Sequence, residues 1–499
     1  MYTPAAPRAR HVGAAAGYAA VHTPPGEPLS LLLQIDEMCG IVAVAGVPDA
    51  ARLAFLGLYA LQHRGQESAG IVAIDPGAET PYRLSKGVGL VSDAFSEAKL
   101  ASLRGSMALG HIRYSTAGGA GLHNAQPLLV RYSEGDLAVV HNGNLTNAQE
   151  LRARLVAEGS IFQTSIDTEV LVHLIARSRR HGVDGQIDDA LSQVQGAFSL
   201  LVTVGDALYA ARDPQGFRPL VLGVLDGGYV LASETCALDI MGAQYVRDVE
   251  PGEVLRIQNG ELTRLRPLAS FAPPAACVFE YVYFARPDSH LWGITVDRAR
   301  RALGRALARE HPADADCVIA VPDSANSAAL GFAEASGVPY ELGLIRNHYV
   351  GRTFIEPSQQ GRDFKVRLKY SAVREVLEGK RVAVVDDSLV RGTTSRGLVS
   401  LLREAGAKEV HFRLASPPVR NPCYYGIDMP TREELIAAQM GPDEIREHLG
   451  VDSLGYLSLQ GMLHAVGGEG PYCGACFSGD YPAPLSDIEA GYLVGSSCG

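Results

Sequence analysis

Arg381-Val-Ala-Val-Val-Asp-Asp-Ser-Leu-Val-Arg-Gly-Thr-Thr-Ser395 decides the fold of the second half of this chain. Val382 to Val385 is a short apolar run rich in β-branched residues, which reads as a buried parallel strand. Two carboxylates, Asp386 and Asp387, follow at its carboxyl end, where open α/β sheets bind ligands. Gly392, Thr393, Thr394 and Ser395 then open a helical pattern, and a helix N-terminus presents unpaired N–H groups to a phosphate. The paired carboxylates suit a ribose diol or a Mg²⁺ ion instead. A ligand with both a phosphate and a diol is a ribose 5-phosphate.

Apolar run, Asp-Asp and Gly-Thr-Thr in this order resemble the phosphoribosyl-pyrophosphate (PRPP) motif of type I phosphoribosyltransferases. The resemblance implies that Asp386, Asp387, Arg391, Gly392, Thr393, Thr394 and Ser395 bind PRPP. It also implies Mg²⁺ at a site lined by Ser324, Asp386 and Asp387. Ser324 ends the apolar run Asp316-Cys-Val-Ile-Ala-Val-Pro-Asp-Ser324, a second expected strand. A helical pattern over 325–336 and a strand at 341–345 follow. Strand alternating with helix predicts a parallel sheet. Residues 346–370 lack an apolar period, and a long irregular loop in a compact domain is functional or disordered. This one resembles the flexible loop that folds over PRPP, with Arg346, Arg352, Arg362, Lys365 and Arg367 facing the leaving pyrophosphate.

The chain has 499 residues, enough for two or three domains. Net charge is −11 and no Lys/Arg run reaches five, which argues against nucleic acid or an anionic membrane as a main partner. No apolar stretch approaches the roughly eighteen residues that span a bilayer. Eight cysteines in so long a chain are not a disulfide scaffold, and Cys473-x-x-Cys476 points to metal or redox chemistry in a reducing compartment. A cytoplasmic enzyme is expected.

Residues 1–38 read as a disordered leader, removed or never translated. They are rich in Ala, Pro and Gly, without period, and Met38 stands directly before Cys39. Low complexity and that methionine favour a misassigned start. Cys39-Gly-Ile-Val-Ala-Val-Ala-Gly46 begins the ordered chain with a buried strand. An N-terminal cysteine has a distinct chemistry, because the thiol attacks and its own α-amine serves as base. An internal cysteine lacks that amine and is ordinarily a core thiol.

Downstream polar blocks change that reading. They are Gln62-His-Arg-Gly-Gln-Glu67, His111-Ile-Arg-Tyr-Ser-Thr116, Ala138-Val-Val-His-Asn-Gly-Asn-Leu145 and Ser165-Ile-Asp-Thr-Glu169. Taken singly, Arg113 is a surface charge, Asn142-Gly143 a hairpin turn and Asp167 an N-cap. Together and in order they resemble the glutaminase domain of class II, N-terminal-nucleophile amidotransferases. The resemblance implies that Cys39 attacks the glutamine amide. It makes Asn142 and Gly143 the oxyanion hole, gives the substrate carboxylate to Arg113 and its ammonium to Asp167, and places Arg64 and Gly65 beside the thiol. His63, His111 and His141 read as structural. A strand-rich stretch to about residue 270 fits the four-layer αββα sandwich of that family, with a linker at 267–274.

Cys277, Cys423, Cys473 and Cys476 supply a four-thiolate set, but spacing does not separate Zn²⁺ from an iron–sulfur cluster. Both halves in this order resemble glutamine phosphoribosylpyrophosphate amidotransferases. The iron-containing branch of that family implies a [4Fe–4S] cluster on those four residues. Cys236, Cys317 and Cys498 receive no role. The expected architecture is two-domain, α+β and α/β. An N-terminal-nucleophile αββα sandwich occupies 39–270, and a phosphoribosyltransferase parallel-sheet domain with a C-terminal cluster-binding segment occupies 271–499. The implied substrates are glutamine and PRPP, with purine nucleotides as feedback inhibitors and a homotetrameric assembly. A hexosamine-forming amidotransferase would lack the Asp-Asp and Gly-Thr-Thr motif. A non-catalytic PRPP-binding regulator would need no Cys39, Arg113 or Asp167.

Overall fold

The computed structural model describes residues 38–114, 121–270, 272–348, 366–429, 431–467, 470 and 472–489. The first half contributes strands β1 (Gly40–Ala45), β2 (Ser68–Ile74), β3 (Tyr82–Val88), β4 (Met107–Arg113), β5 (Leu128–Tyr132), β6 (Gly135–Leu145) and β7 (Gly196–Val204). It continues with β8 (Ala207–Arg212), β9 (Val221–Leu225), β10 (Gly228–Ala232), β11 (Gln244–Asp248), β12 (Val254–Gln258) and β13 (Glu261–Arg264). They form two antiparallel sheets, ordered β11-β9-β10-β1-β4-β2-β3 and β13-β12-β8-β7-β6-β5.

Side-chain alternation explains why β1 is apolar throughout. Ile41, Ala43 and Ala45 face the second sheet and pack with Ala138, Val140 and Leu201. Val42 and Val44 face outward, under the helices Ala50–Ala60 and Thr235–Met241. The second sheet is covered in turn by Thr168–Arg177 and Gly182–Leu191, through Val139, Leu200 and Val202. Both sheets are therefore buried on both faces, and the four layers are those expected.

The second half holds β14 (Ala276–Cys277), the small hairpin β15 (His290–Leu291) and β16 (Ile294–Thr295), then β17 (Cys317–Ala320), β18 (Leu344–Arg346) and β19 (Tyr370–Ala372). β20 (Arg381–Asp386), β21 (Glu409–Leu414), β22 (Ser453–Tyr456) and β23 (Tyr472–Cys473) complete it. A parallel sheet runs β17-β20-β21-β22, and Val382 to Val385 at its centre are fully buried. The helices Val296–Glu310, Asn326–Ser336 and Thr393–Glu404 accompany it.

One expected strand differs. Residues 341–345 do not extend the parallel sheet. Tyr340 makes a single bridge to Val318, and Leu342 and Ile345 are exposed. The strand is β18, shifted by a few residues, and it pairs antiparallel with β19. That ribbon brings together the two ends of the expected loop, whose interior (349–365, with Arg352, Arg362 and Lys365) lies outside the described residues, as do residues 1–37 and Cys498. Met38 does not share the leader's expected disorder, for its side chain is fully buried. The polar segment 212–219 is folded into the interior. Arg212, Asp213, Phe217 and Arg218 are buried, and the Arg212 guanidinium is satisfied by the carbonyls of Gly216, Arg218 and Val249.

Candidate functional site

Cys39 immediately precedes β1, and β4 beside it ends at Arg113 and Tyr114. The Cys39 thiol donates to the Tyr114 carbonyl at 3.7 Å. Burial pushes the thiol up to about 11, with the nearby Arg113 guanidinium offsetting part of the rise. The thiol is thus protonated at neutral pH. Arg113 is buried and contacts Glu67 at 3.4 Å. Gly65 is extended, and a Cβ there would lie 2.8 Å from the Arg113 carbonyl carbon, so the two backbones pass in near contact.

Asn142 and Gly143 lie within β6, not at a hairpin tip. Gly143 has φ +147°, and a Cβ would fall 2.1 Å from the Ala197 oxygen on β7. Only glycine fits. The Asn142 side chain is fully buried, and neither amide atom has a hydrogen-bond partner among the described residues. Leaving a buried amide unmade costs about 1–3 kcal/mol, so such a group in a native site calls for a reason.

Asp167 opens the helix Thr168–Arg177 but does not cap it. Its Oδ2 accepts the Leu145 N–H at 2.9 Å, which sets the carboxylate beside the strand carrying Asn142 and Gly143. Burial would raise this carboxyl, yet His141, 3.5 Å away, together with Leu145 and Thr168, holds it below its usual range. Sequence reading left His141 as structural, and the structure places its Nδ1 3.5 Å from the Asp167 carboxylate.

Arg64 departs from expectation. Its guanidinium is wholly buried and given to carboxylates, pairing with Glu234 and with Glu280 at 2.6 Å. No charge is left over for a glutamine carboxylate. Glu234 also accepts from Ser289 at 2.6 Å and the Arg286 N–H at 2.9 Å, and contacts His63 at 2.6 Å. Glu280 also meets Arg218 at 3.3 Å. These ion pairs clamp the two halves together.

In the second half, Asp386 and Asp387 stand at the end of β20 as expected, both buried. Burial raises both carboxyls, and the adjacent Asp387 raises Asp386 further. The Ser324 hydroxyl, from the end of the β17 segment, donates to Asp387, and Ser388 donates to it at 2.6 Å. Gly392 takes φ +77° directly before the helix Thr393–Glu404, which turns Thr393, Thr394 and Ser395 into its first turn. Arg391 leans on Glu434 at 3.5 Å. Two groups escaped sequence reading. Lys369 is half-buried near both aspartates, and partial desolvation lowers its ammonium. Asp428 accepts from the Tyr114 side chain and senses the charge of Arg391, so it stands between the two sites.

The four cysteines come from three stretches of chain, Cys473 and Cys476 sharing one. Cys277 on β14 lies in parallel register with Cys473 on β23. Cys423 accepts the Tyr425 N–H at 3.4 Å, and the Cys476 carbonyl accepts the Arg420 and Asn421 N–H groups. All are unbridged, and burial raises Cys277, Cys473 and Cys476, each being raised further by its cysteine neighbours. Arg218 is buried within their field. Among the described residues no three His, Cys, Asp or Glu side chains are grouped so as to hold a metal ion.

A glutamine amidotransferase domain model matches residues 111–239. The amidophosphoribosyltransferase of Bacillus subtilis is 50% identical over 457 residues, covering 90% of this chain and 95% of that protein. The chain belongs to the amidophosphoribosyltransferase family. A relative of that name from Synechococcus elongatus is 49% identical, covering 93% of this chain and 97% of its own. The solved B. subtilis glutamine PRPP amidotransferase, complexed with ADP and GMP, superposes with a TM-score of 0.85 at 49% identity, covering 90% of this chain and 98% of that one. As an amidophosphoribosyltransferase the chain is a glutamine-dependent transferase of purine biosynthesis, with an N-terminal-nucleophile domain and a mixed α/β phosphoribosyltransferase domain. Among the described residues no helix is long and apolar enough to cross a membrane.

Proposed function

We propose that the first half releases ammonia from glutamine at Cys39 and the second adds it to C1 of PRPP, giving 5-phosphoribosylamine, glutamate and pyrophosphate. The observation that carries the donor half is the buried, unpartnered Asn142 amide beside Gly143. It is an electrostatic receptor in place before charge develops.

A thiol raised to about 11 needs a base. A free α-amine on Cys39, titrating near ~8, supplies it once nothing precedes that residue. The amine takes the thiol proton as sulfur adds to the amide carbon. Asn142 and the Gly143 N–H receive the oxyanion. The held proton leaves with ammonia, and water then cleaves the thioester to glutamate. Arg113 exchanges its Glu67 contact for the substrate carboxylate, and Asp167, kept ionised, takes the substrate ammonium.

In the acceptor half, the first turn of Thr393–Glu404 with Gly392 and Arg391 cradles the 5-phosphate. Arg352, which lies outside the described residues, would face the pyrophosphate. Asp386, Asp387 and Ser324 form an all-oxygen set that suits Mg²⁺ bound with PRPP. Those residues would hold Mg²⁺, which would supply charge neutralisation for the pyrophosphate, while Lys369 offsets the charge of the aspartates. The four thiols suit a [4Fe–4S] cluster. The cluster rests on the family resemblance, and the buried Arg218 cation near Cys277, Cys423 and Cys473 would suit an anionic thiolate-ligated group. Four unbridged thiols suit a reducing, cytoplasmic setting. Purine nucleotides are the proposed feedback inhibitors, on the strength of the relative solved with ADP and GMP, and a homotetramer the proposed assembly.

The deciding experiment measures phosphoribosylamine formation with glutamine and, separately, with ammonia. Both rates should be present, and the glutamine rate alone should vanish on alkylation of Cys39. A protein that binds PRPP but forms no phosphoribosylamine from either donor is the regulator instead.

A further inference from the structure

The strand that carries the oxyanion groups is held from outside its own half. Asn144 donates its side-chain amide to the Tyr424 carbonyl at 3.0 Å. Gly426 lies so near Gly143 that a Cβ on it would fall 2.8 Å from the Gly143 carbonyl carbon. Farther along, the Asp487 N–H donates to the Thr146 carbonyl at 2.9 Å. The buried Asp487 carboxylate accepts the Gln149 and Glu150 N–H groups, each at 2.9 Å. These are first-turn donors of the helix Ala148–Ala157, which continues from β6. Residues 142–150 are therefore gripped at both ends by segments of the second half.

The two gripping segments are themselves joined. Tyr425 and Ala483 exchange hydrogen bonds at 2.6 and 3.0 Å, and the Tyr481 hydroxyl donates to Pro422. Tyr425 stacks on Phe217 with ring centroids 4.2 Å apart, against Ala197, the residue whose oxygen excludes a side chain from Gly143. Cys423, Cys473 and Cys476 lie in these same two stretches.

We propose that Asn144, Gly426 and Asp487 are positioning residues for the oxyanion hole, so that the cysteine-bearing segments of the sugar half set the competence of the glutamine half. This rests on Asn142 and Gly143 being that hole. The reason is geometric. An oxyanion donor works at about 2.7–3.1 Å from the developing charge, and such a constellation must be held within about 0.5 Å of its productive geometry. None of the three residues touches substrate in this account. Each acts through the backbone of 142–150.

The test uses the mature iron-loaded enzyme and the variants Asn144→Ala, Asp487→Ala and the milder Asp487→Asn. Glutamate γ-semialdehyde adds the Cys39 sulfur across its aldehyde to give a hemithioacetal whose oxygen occupies the hole. Glutamate binds without using it. Glutamine-dependent kcat should fall about 10-fold or more in the Ala variants, less than the 10²–10³ of losing a donor outright. The KM for glutamine should change little, and Asp487→Asn should fall between the wild type and Asp487→Ala. Aldehyde affinity measured by calorimetry should drop in step with kcat, with glutamate affinity and ammonia-dependent synthesis retained. Unchanged aldehyde affinity, or parallel loss of glutamine and ammonia rates in both Asn144→Ala and Asp487→Asn, overturns the proposal. Asn142→Ala separates the two levels: if it too leaves aldehyde affinity intact, the oxyanion assignment has failed, not the positioning.

Discussion

Single atoms decide the chemistry of Gly143. Because a Cβ there would enter the Ala197 oxygen, Gly143→Ala must displace β6 from β7 or twist the peptide that carries the donor. Glutamine-dependent kcat should fall roughly 10²-fold or more, the scale of losing an oxyanion donor, with ammonia-dependent synthesis retained. Steady-state rates with the two nitrogen donors check this. The mirror experiment is Asp387→Asn. It removes a buried carboxylate held by Ser324 and Ser388 and should abolish sugar transfer while leaving glutamine hydrolysis measured without PRPP. A variant that loses both activities while folded would count against two separable sites.

At this scale much of the site was legible. Asp386-Asp387 stand at a strand end and Gly392 directly before a helix, as chain order implied, whereas Asn142-Gly143, which singly reads as a hairpin turn, lies within β6, and Asp167, which singly reads as an N-cap, leaves its helix uncapped. Arg64 was not legible, because its meaning depends on Glu280, 216 residues farther along. Nothing in Gln-His-Arg-Gly announces so distant a pair. His141 was obscured for the same reason: its partner Asp167 comes from another element.

Between elements, the clamp of Arg64, Glu234 and Glu280 carries its own prediction. Glu234→Gln leaves Arg64 buried with part of its charge unanswered, and breaking such a pair costs about 3–5 kcal/mol. Arg64, with His63, holds the Glu234 carboxyl well below its usual range despite burial. Its stabilising contribution is therefore complete above the unfolded value of about 4.3 and drains away as pH falls below it. The stability gap between wild type and Glu234→Gln, measured by urea titration, should be constant from pH 6 to 8 and narrow below about pH 4. A gap that widens on acidification would contradict the sign. The shifted strand β18 belongs to this scale too. An apolar run specified a strand, but only the returning segment at β19 determines which edge it joins.

For the whole molecule, two measurements bear on maturation. N-terminal sequencing of active enzyme should begin Cys-Gly-Ile-Val, since a peptide bond to Met38 would deprive Cys39 of its amine. A longer or blocked N-terminus with full glutaminase activity would falsify that mechanism. Anaerobically purified protein should be brown, with about four iron per chain. Stoichiometric zinc in a colourless sample would replace the cluster assignment and leave the enzyme family untouched.

The pairing of β14 with β23 has a temporal side. Cys277 stands at the opening of the second half and its register partner Cys473 near the far end. During synthesis the N-terminal sandwich can close early, because its strands β1 to β13 have all emerged first. The thiol set is complete only after Cys476 leaves the ribosome. The proposed cluster could therefore be loaded only on a nearly completed chain, and a product stalled before that point would lack the full thiol set.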